Sequence, residues 1–126
     1  MLDLVEHARQ QKRVKSREIA ERQQIPVKYL EQIINTLKRG GLLLSVRGAD
    51  GGYRLSRPAS EISVYEILHA LEGDLSIIDK EDDSWSEGHG FFWQELEEQL
   101  IQQLRISLAD FAANSRNSSH GYMYYI

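Results

Sequence analysis

The sequence has no cysteine, only two prolines and no long hydrophobic run. Without thiols the chain cannot form a disulfide, a thiolate nucleophile or a cysteine-ligated zinc or iron–sulfur site. No apolar stretch approaches the roughly 18 residues that a membrane-spanning helix needs. The first ten residues carry Asp3 and Glu6, which argues against a signal peptide. We therefore expect a cytoplasmic protein without membrane contact.

The length of 126 residues predicts one domain, or one small domain with an appended oligomerisation arm. The net charge of −4 is unevenly distributed along the chain. Residues 1–58 hold 12 Lys and Arg against 6 Asp and Glu, whereas residues 59–126 hold 3 against 13. A basic half joined to an acidic half indicates a polyanion-binding module, although chance clustering of solvated charges gives the same count.

Residues 16–39 carry the pattern of two helices joined by a tight turn. Ser16 is the expected N-cap of the first helix, over 16–23, because its hydroxyl can accept from the first turn. Pro26 fits the start of the second helix, where its missing N–H costs nothing, and Gly40 fits its end. The second helix repeats apolar residues on one face, namely Val27, Leu30, Ile33, Ile34 and Leu37.

A β-hairpin is predicted next, with strands over 42–46 and 53–56 and the turn RGADGG between them. The glycines of this turn permit positive φ and a close backbone approach to a partner. A helix-turn-helix followed by a hairpin is the winged-helix arrangement. In it the second helix enters the major groove of DNA, and the hairpin, or wing, reaches the backbone or the minor groove.

The C-terminal half is predicted to be helical around an acidic loop. Ser63 and Glu66 form a capping box at the start of a helix that Gly73 ends. A long amphipathic helix follows the loop. Ser107 with Asp110 can cap a separate last turn over 108–113, which a polar tail follows. Large apolar residues recur along the long helix at spacings of three and four: Trp93, Leu96, Leu100, Leu104 and Leu108.

We expect these five side chains to form a dimer interface. Buried at roughly 1.5–3 kcal/mol each, they give a gross gain on the order of 10 kcal/mol, which supports a dimer after association costs. The predicted fold is mainly α with a small β-hairpin wing. Its predicted parts are a winged helix-turn-helix domain over 1–78, the acidic loop over 79–90, and a dimerisation helix with its tail over 91–126.

Polar side chains off the apolar face of the second helix have the donors and acceptors that base edges require. Arginine at the wing suits a narrow, electronegative minor groove. The alternative is a basic face that is only solvated, or that docks an acidic partner protein. The candidate DNA contacts are Lys28, Tyr29, Gln32 and Thr36 on the helix, with Arg47, Gly48 and Arg54 around the wing tip.

Three segments carry a family resemblance: YLEQI at 29–33, SVRGADGGYRL at 45–55 and ALEG at 70–73. With them, residues 1–80 closely resemble the Rrf-two family of bacterial winged-helix regulators, the IscR/NsrR/CymR type. The resemblance implies a homodimeric, sequence-specific transcription factor, often a repressor, on a pseudo-palindromic operator. Such a regulator would be controlled by a small molecule, by a partner protein or by no direct signal.

Carried over by position, the resemblance implies that Lys28, Tyr29, Glu31 and Gln32 face bases and that Arg47 enters the minor groove. Glu31 either accepts from a cytosine amino group or lowers the affinity for other sequences. The chain departs from the family at 26–28, where proline, valine and lysine replace a serine cap and small polar residues. The family's first helix also usually begins before the LDL segment at 2–4.

Family members that sense iron, nitric oxide or redox state usually hold a cluster through three cysteines after ALEG. The segment 74–94 has none, so a conventional cluster is excluded and we expect no cofactor. His89 with Asp82, Asp83 and Glu87 has the chemistry of metal ligands, but a solvated acidic loop is the simpler interpretation. No nucleophile–base pair or phosphate loop stands out, so we do not expect an enzyme.

Overall fold

The computed structural model describes residues 1–8, 13–48, 51–76 and 90–122, and within them it confirms a mostly helical fold with one two-stranded hairpin. The N-terminal helices are α1 (Leu2–Ala8), α2 (Ser16–Gln23) and α3 (Val27–Arg39). The wing consists of β1 (Leu43–Val46) and β2 (Gly52–Leu55). A 3-10 turn (Ala59–Glu61) then leads to α4 (Val64–Glu72), α5 (Gly90–Leu104) and α6 (Leu108–Tyr122).

One hydrophobic core joins all of these elements except α5. Its most deeply buried side chains include Leu42 and Leu43 at the start of the wing, Ile62 after the 3-10 turn and Leu108 at the start of α6. The predicted apolar face of α3 is confirmed in its centre, since Leu30, Ile34 and Leu37 are buried. The core therefore fixes which face α3 leaves exposed.

Of the three serine N-caps that the sequence predicts, two are confirmed and one is wrong. The Ser63 hydroxyl accepts from the Glu66 backbone N–H (3.1 Å), and the Glu66 carboxylate accepts from the Ser63 backbone N–H (2.9 Å). The latter hydrogen bond, with a smaller contribution from Arg57, holds the pKa of Glu66 below its usual range. Ser107 caps α6 by accepting from the Asp110 N–H (3.1 Å). In contrast, Lys15 occupies the N-cap position of α2, and Ser16 is already helical.

The C-terminal apolar pattern crosses a break between two helices. The long helix ends at Leu104, and the next one runs to Tyr122 rather than stopping at residue 113. At this junction the Leu108 N–H donates to the Ile62 carbonyl (2.6 Å), and the Leu108 side chain is only 2 % exposed. The assignment of Leu108 to a dimer interface is therefore wrong, because this side chain belongs to the core of its own chain.

The described part of the C-terminal segment is not separate from the N-terminal core. Helix α6 packs against α1 and the 3-10 turn, and Ala112 is buried there. The predicted boundaries at 78 and 91 stay a prediction, and residues 79–89 of the predicted acidic loop lie outside the described residues. Within the described ranges, no helix has the length and apolar character needed to cross a membrane.

A buried carboxylate connects α1 to α2. Asp3 is 6 % exposed and accepts hydrogen bonds from Arg22 (Nε to Oδ1 3.0 Å, Nη2 to Oδ2 2.8 Å) and from the side-chain amide of Gln23 (3.0 Å). These hydrogen bonds, first of all those from Arg22, hold the pKa of Asp3 below its usual range, although burial acts in the opposite direction. The pairing sets the position of α2, on which α3 packs.

We expect Asp3→Asn to lower the free energy of unfolding at pH 7 by about 2 kcal/mol, because hydrogen bonds to a charged group contribute roughly 1.5–3 kcal/mol. Since the folded pKa lies below the unfolded value of about 3.9, this contribution is present above that pH and is lost as the pH falls through the folded pKa. Urea unfolding at pH 7 and pH 3 measures the difference, which should shrink at pH 3.

The matched control is Glu6→Gln, which neutralises an exposed carboxylate on the same helix. It should change stability by less than about 0.5 kcal/mol at either pH. An Asp3→Asn deficit of equal size at both pH values would show that the charge of Asp3 contributes nothing.

Candidate nucleic-acid interface

The turn between α2 and α3 has one residue in a left-handed conformation. Gln24 has φ 54° and ψ 47°, and the Ile25 N–H donates to the Ala20 carbonyl (3.0 Å). Pro26 follows at φ −56° and precedes the first residue of α3. This tight connection, with Ile19 and Ala20 buried in the shared core, sets α3 against α2 as in a helix-turn-helix.

The exposed face of α3 carries the predicted DNA contacts. Lys28, Glu31 and Gln32 are exposed, and Tyr29 is 59 % exposed. All of them lie away from the buried line of Leu30, Ile34 and Leu37. The structure therefore places Lys28 and Gln32 opposite the buried line, with Tyr29 and Glu31 on the two flanks of the exposed surface of α3.

Thr36 differs from the other helix candidates because its hydroxyl is occupied. It is half-buried and donates to the Gln32 carbonyl (3.0 Å), while Arg39 Nη2 donates to it at the long distance of 3.5 Å. A hydroxyl bonded in this way has no free proton for a base edge. In this structure the Thr36 hydroxyl is bonded within its own helix, near the Arg39 guanidinium.

The wing is anchored to the body of the protein on its β2 side. Val14 and Tyr53 exchange two backbone hydrogen bonds (2.9 and 2.7 Å), so the segment before α2 pairs with β2. A Cβ at Gly52 would lie 2.7 Å from the Val14 carbonyl oxygen, and only glycine permits this approach. The Lys38 ammonium also lies 5.9 Å from the centre of the Tyr53 ring, which joins the wing to α3.

The two predicted wing arginines have different positions. Arg47 follows β1 directly and is exposed beside Gly48, whose φ of 129° suits glycine. Arg54 is also exposed, but it pairs with Leu44 and lies two residue pairs below the Val46–Gly52 pair that ends the ladder. Arg47 is therefore the wing-tip arginine, and Arg54 lies along the side of the hairpin.

The sequence reasoning missed four polar side chains at this surface. Asn35 and Arg39 are exposed on α3 at helical spacing from Gln32, a signal that was available in the sequence. Lys15 and Arg17 line a groove of about 500 Å³ between the start of α2 and the wing, together with Glu18 and Glu21. No local pattern predicts that groove, because it depends on the pairing of Val14 with β2.

Comparison with known proteins gives a consistent result. The profile of the family described as "Rrf2: Iron-dependent Transcriptional regulator" matches residues 1–114. A relative from Azotobacter vinelandii, named as an HTH-type transcriptional regulator, is 38 % identical over 121 residues, which cover 91 % of this chain and 73 % of the relative.

Solved structures agree with the sequence comparison. The structure titled "T. potens IscR" is 35 % identical with a TM-score of 0.74, and the match covers 98 % of this chain and 87 % of the other. CymR, titled the global cysteine regulator of B. subtilis, is 26 % identical with a TM-score of 0.74 over 90 % of this chain and 87 % of its own. These comparisons favour transcription regulation over a module that docks an acidic protein.

The residues present do not fit the iron–sulfur cluster that the resemblance associates with iron-sensing relatives. Thiolate is the usual ligand of such clusters, and the chain has no cysteine. Among the described residues, no group of three His, Asp or Glu side chains is placed to hold a metal ion. The candidate ligands Asp82, Asp83, Glu87 and His89 lie outside the described residues.

Replacing Gln32 by Ala should relax the preference at one or two base pairs of the binding site by about 1–3 kcal/mol, because Gln32 presents both a donor and an acceptor to a base edge. Competition binding against duplexes that differ at single positions measures this. Equal weakening on every duplex would contradict a base-reading role. Gln102→Ala, an exposed amide on α5, serves as the control and should change neither affinity nor preference.

Proposed function

The chain belongs to the Rrf2 family and is a DNA-binding transcriptional regulator, and we propose that it acts as a homodimeric repressor that binds a pseudo-palindromic operator without an iron–sulfur cluster. The observation that carries the proposal is the exposed polar face of α3 beside an anchored wing. In this arrangement α3 can enter the major groove of DNA while the wing reaches the adjacent minor groove.

We assign roles to the contacts from their chemistry. Gln32 and Tyr29 read base edges, Lys28 contributes charge, and Arg47 at the wing tip enters the minor groove. Glu31 discriminates among bases, either by accepting from a cytosine amino group or by repelling other sequences. Arg54 and the cations at the start of α2 contact phosphate, so their contribution is independent of sequence and sensitive to salt.

Helix α5 is the proposed dimerisation element. None of its residues is buried, although it contains many large apolar side chains. Two lines run along it: Trp93, Glu97, Ile101 and Leu104 are half-buried, whereas Phe92, Leu96 and Leu100 are exposed. Because α5 packs against α4 of its own chain, the exposed line is the face that we assign to a second copy of the chain.

The exposed line is large enough to contribute substantially to a dimer. Phe92 is 60 % exposed, Leu96 38 % and Leu100 41 %. At roughly 1.5–3 kcal/mol for each fully buried side chain, covering this line in both subunits gives on the order of 5 kcal/mol before association costs. Flanking surface must supply the rest. A two-fold dimer would place its α3 helices about one DNA turn, roughly 34 Å, apart or a multiple of that distance.

Changing Leu100 to Asp should convert the dimer to monomers in light scattering, because a carboxylate on the exposed line would be buried against the second subunit. Gln102→Asp puts the same charge on the opposite face of α5 and should leave the dimer intact. A Leu100→Asp protein that remains dimeric and binds DNA normally would refute the assignment of this face.

The cluster-free proposal makes a second prediction. Protein purified anaerobically should contain neither stoichiometric iron nor sulfide, and chelator treatment should not change its gel shift of a duplex from its own upstream region. The physical reason is that the chain has no thiolate ligand for a cluster. Chelator-sensitive binding or a visible charge-transfer band would contradict the cluster-free form. Weak, salt-labile binding to all duplexes would instead contradict sequence-specific regulation.

A further inference from the structure

On the premise of the proposed DNA-binding function, we propose that Asn35 is a specificity-determining residue that reads an adenine in each operator half-site, within two base pairs of the base contacted by Gln32. Asn35 is exposed on α3, one turn further along the helix than Gln32. It deepens the assignment of α3 because it adds a second side-chain amide to the reading face.

The position of Asn35 follows from the helix geometry. Lys28, Gln32, Asn35 and Arg39 are separated by four, three and four residues, and all are exposed. With 3.6 residues per turn, side chains at these spacings form one line along the helix. The buried line of α3 lies on the opposite side. Asn35 thus occupies the middle of the exposed face and not its flank.

The Asn35 amide is available to a ligand, unlike the hydroxyl of its neighbour. Within the described residues the Asn35 side chain has no hydrogen-bond partner, whereas the Thr36 hydroxyl donates to the Gln32 carbonyl. An amide offers a donor and an acceptor side by side, which matches N7 and the N6 amino group of adenine in the major groove. The chemistry therefore points to an A·T pair.

The distance between Gln32 and Asn35 along α3 allows them to contact two nearby base pairs. Three residues of helix rise by about 4.5 Å between Gln32 and Asn35. One base pair of DNA occupies about 3.4 Å of each strand. The two amides can therefore reach base pairs that are adjacent or separated by one, and we expect the half-site to hold two specified positions there.

The first experiment compares sequence preferences. The full chain and its Asn35→Ala variant are each used to select duplexes from a random-sequence double-stranded library. The wild type should enrich an A·T pair at one position per half-site, and the variant should lose that preference by about 5- to 100-fold while keeping the others. Asn114→Ala removes an exposed amide on α6 and should select the wild-type consensus.

The second experiment tests the contact itself. Replacing the specified adenine by 7-deazaadenine substitutes a C–H group for the N7 acceptor and keeps the N6 amino group. Wild-type affinity, measured by fluorescence anisotropy at fixed salt, should fall on this duplex. The Asn35→Ala variant should bind both duplexes equally, because it lacks the amide that contacts N7. The two changes would then be coupled, as expected for groups in direct contact.

Each other outcome has a definite meaning. If Asn35→Ala selects the wild-type consensus, or loses affinity equally on all duplexes, the base-reading role of Asn35 is overturned while the proposed function stands. An equal 7-deazaadenine penalty in wild type and variant also overturns it. A wild-type protein that enriches no sequence at all overturns the proposed function itself.

Discussion

The geometry of the interface depends on the backbone pairing between Val14 and Tyr53. Two short hydrogen bonds join β2 to the segment that leads into α2. Because Gly52 has no Cβ, the backbones can approach closely enough to form them. The same tyrosine ring faces Lys38 of α3. Tyr53 of the wing therefore contacts both the segment before α2 and helix α3. These contacts set the position of the wing, and with it Arg47, relative to α3.

The two halves of the interface do different work. In the proposed complex, cations such as Lys28 and Arg39 attract the phosphate backbone, so their effect on affinity depends on salt and little on sequence. Specificity requires side chains that present a donor and an acceptor in a fixed position, and on α3 we assign that role to the amides of Gln32 and Asn35. The basic N-terminal half of an acidic chain supplies the first, and the exposed face of one helix supplies the second.

Helix α5 divides its large side chains between a half-buried line and an exposed line. Its half-buried line packs toward its own chain, and its exposed line is left without cover within the described residues. The junction after it is fixed by backbone hydrogen bonds from Val64 to Ile106 and from Leu108 to Ile62. Arg105 also lies over the Tyr65 ring at 5.5 Å. The proposed dimer face is thus held to the DNA-binding core through residues 105–108.

The sequence alone determined the local structure of this protein: which residues share a helix face, where Ser63 caps α4, and that a hairpin follows α3. These features depend on periodicity and on contacts within one helical turn, so the chain encodes them locally. Only the tertiary structure decided which part of the protein each apolar helix face packs against. Leu108 continues the spacing of Leu96, Leu100 and Leu104, yet it is buried against Ile62 because the helix ends before it. Periodicity cannot distinguish a core from an interface, since both bury the same apolar side chains.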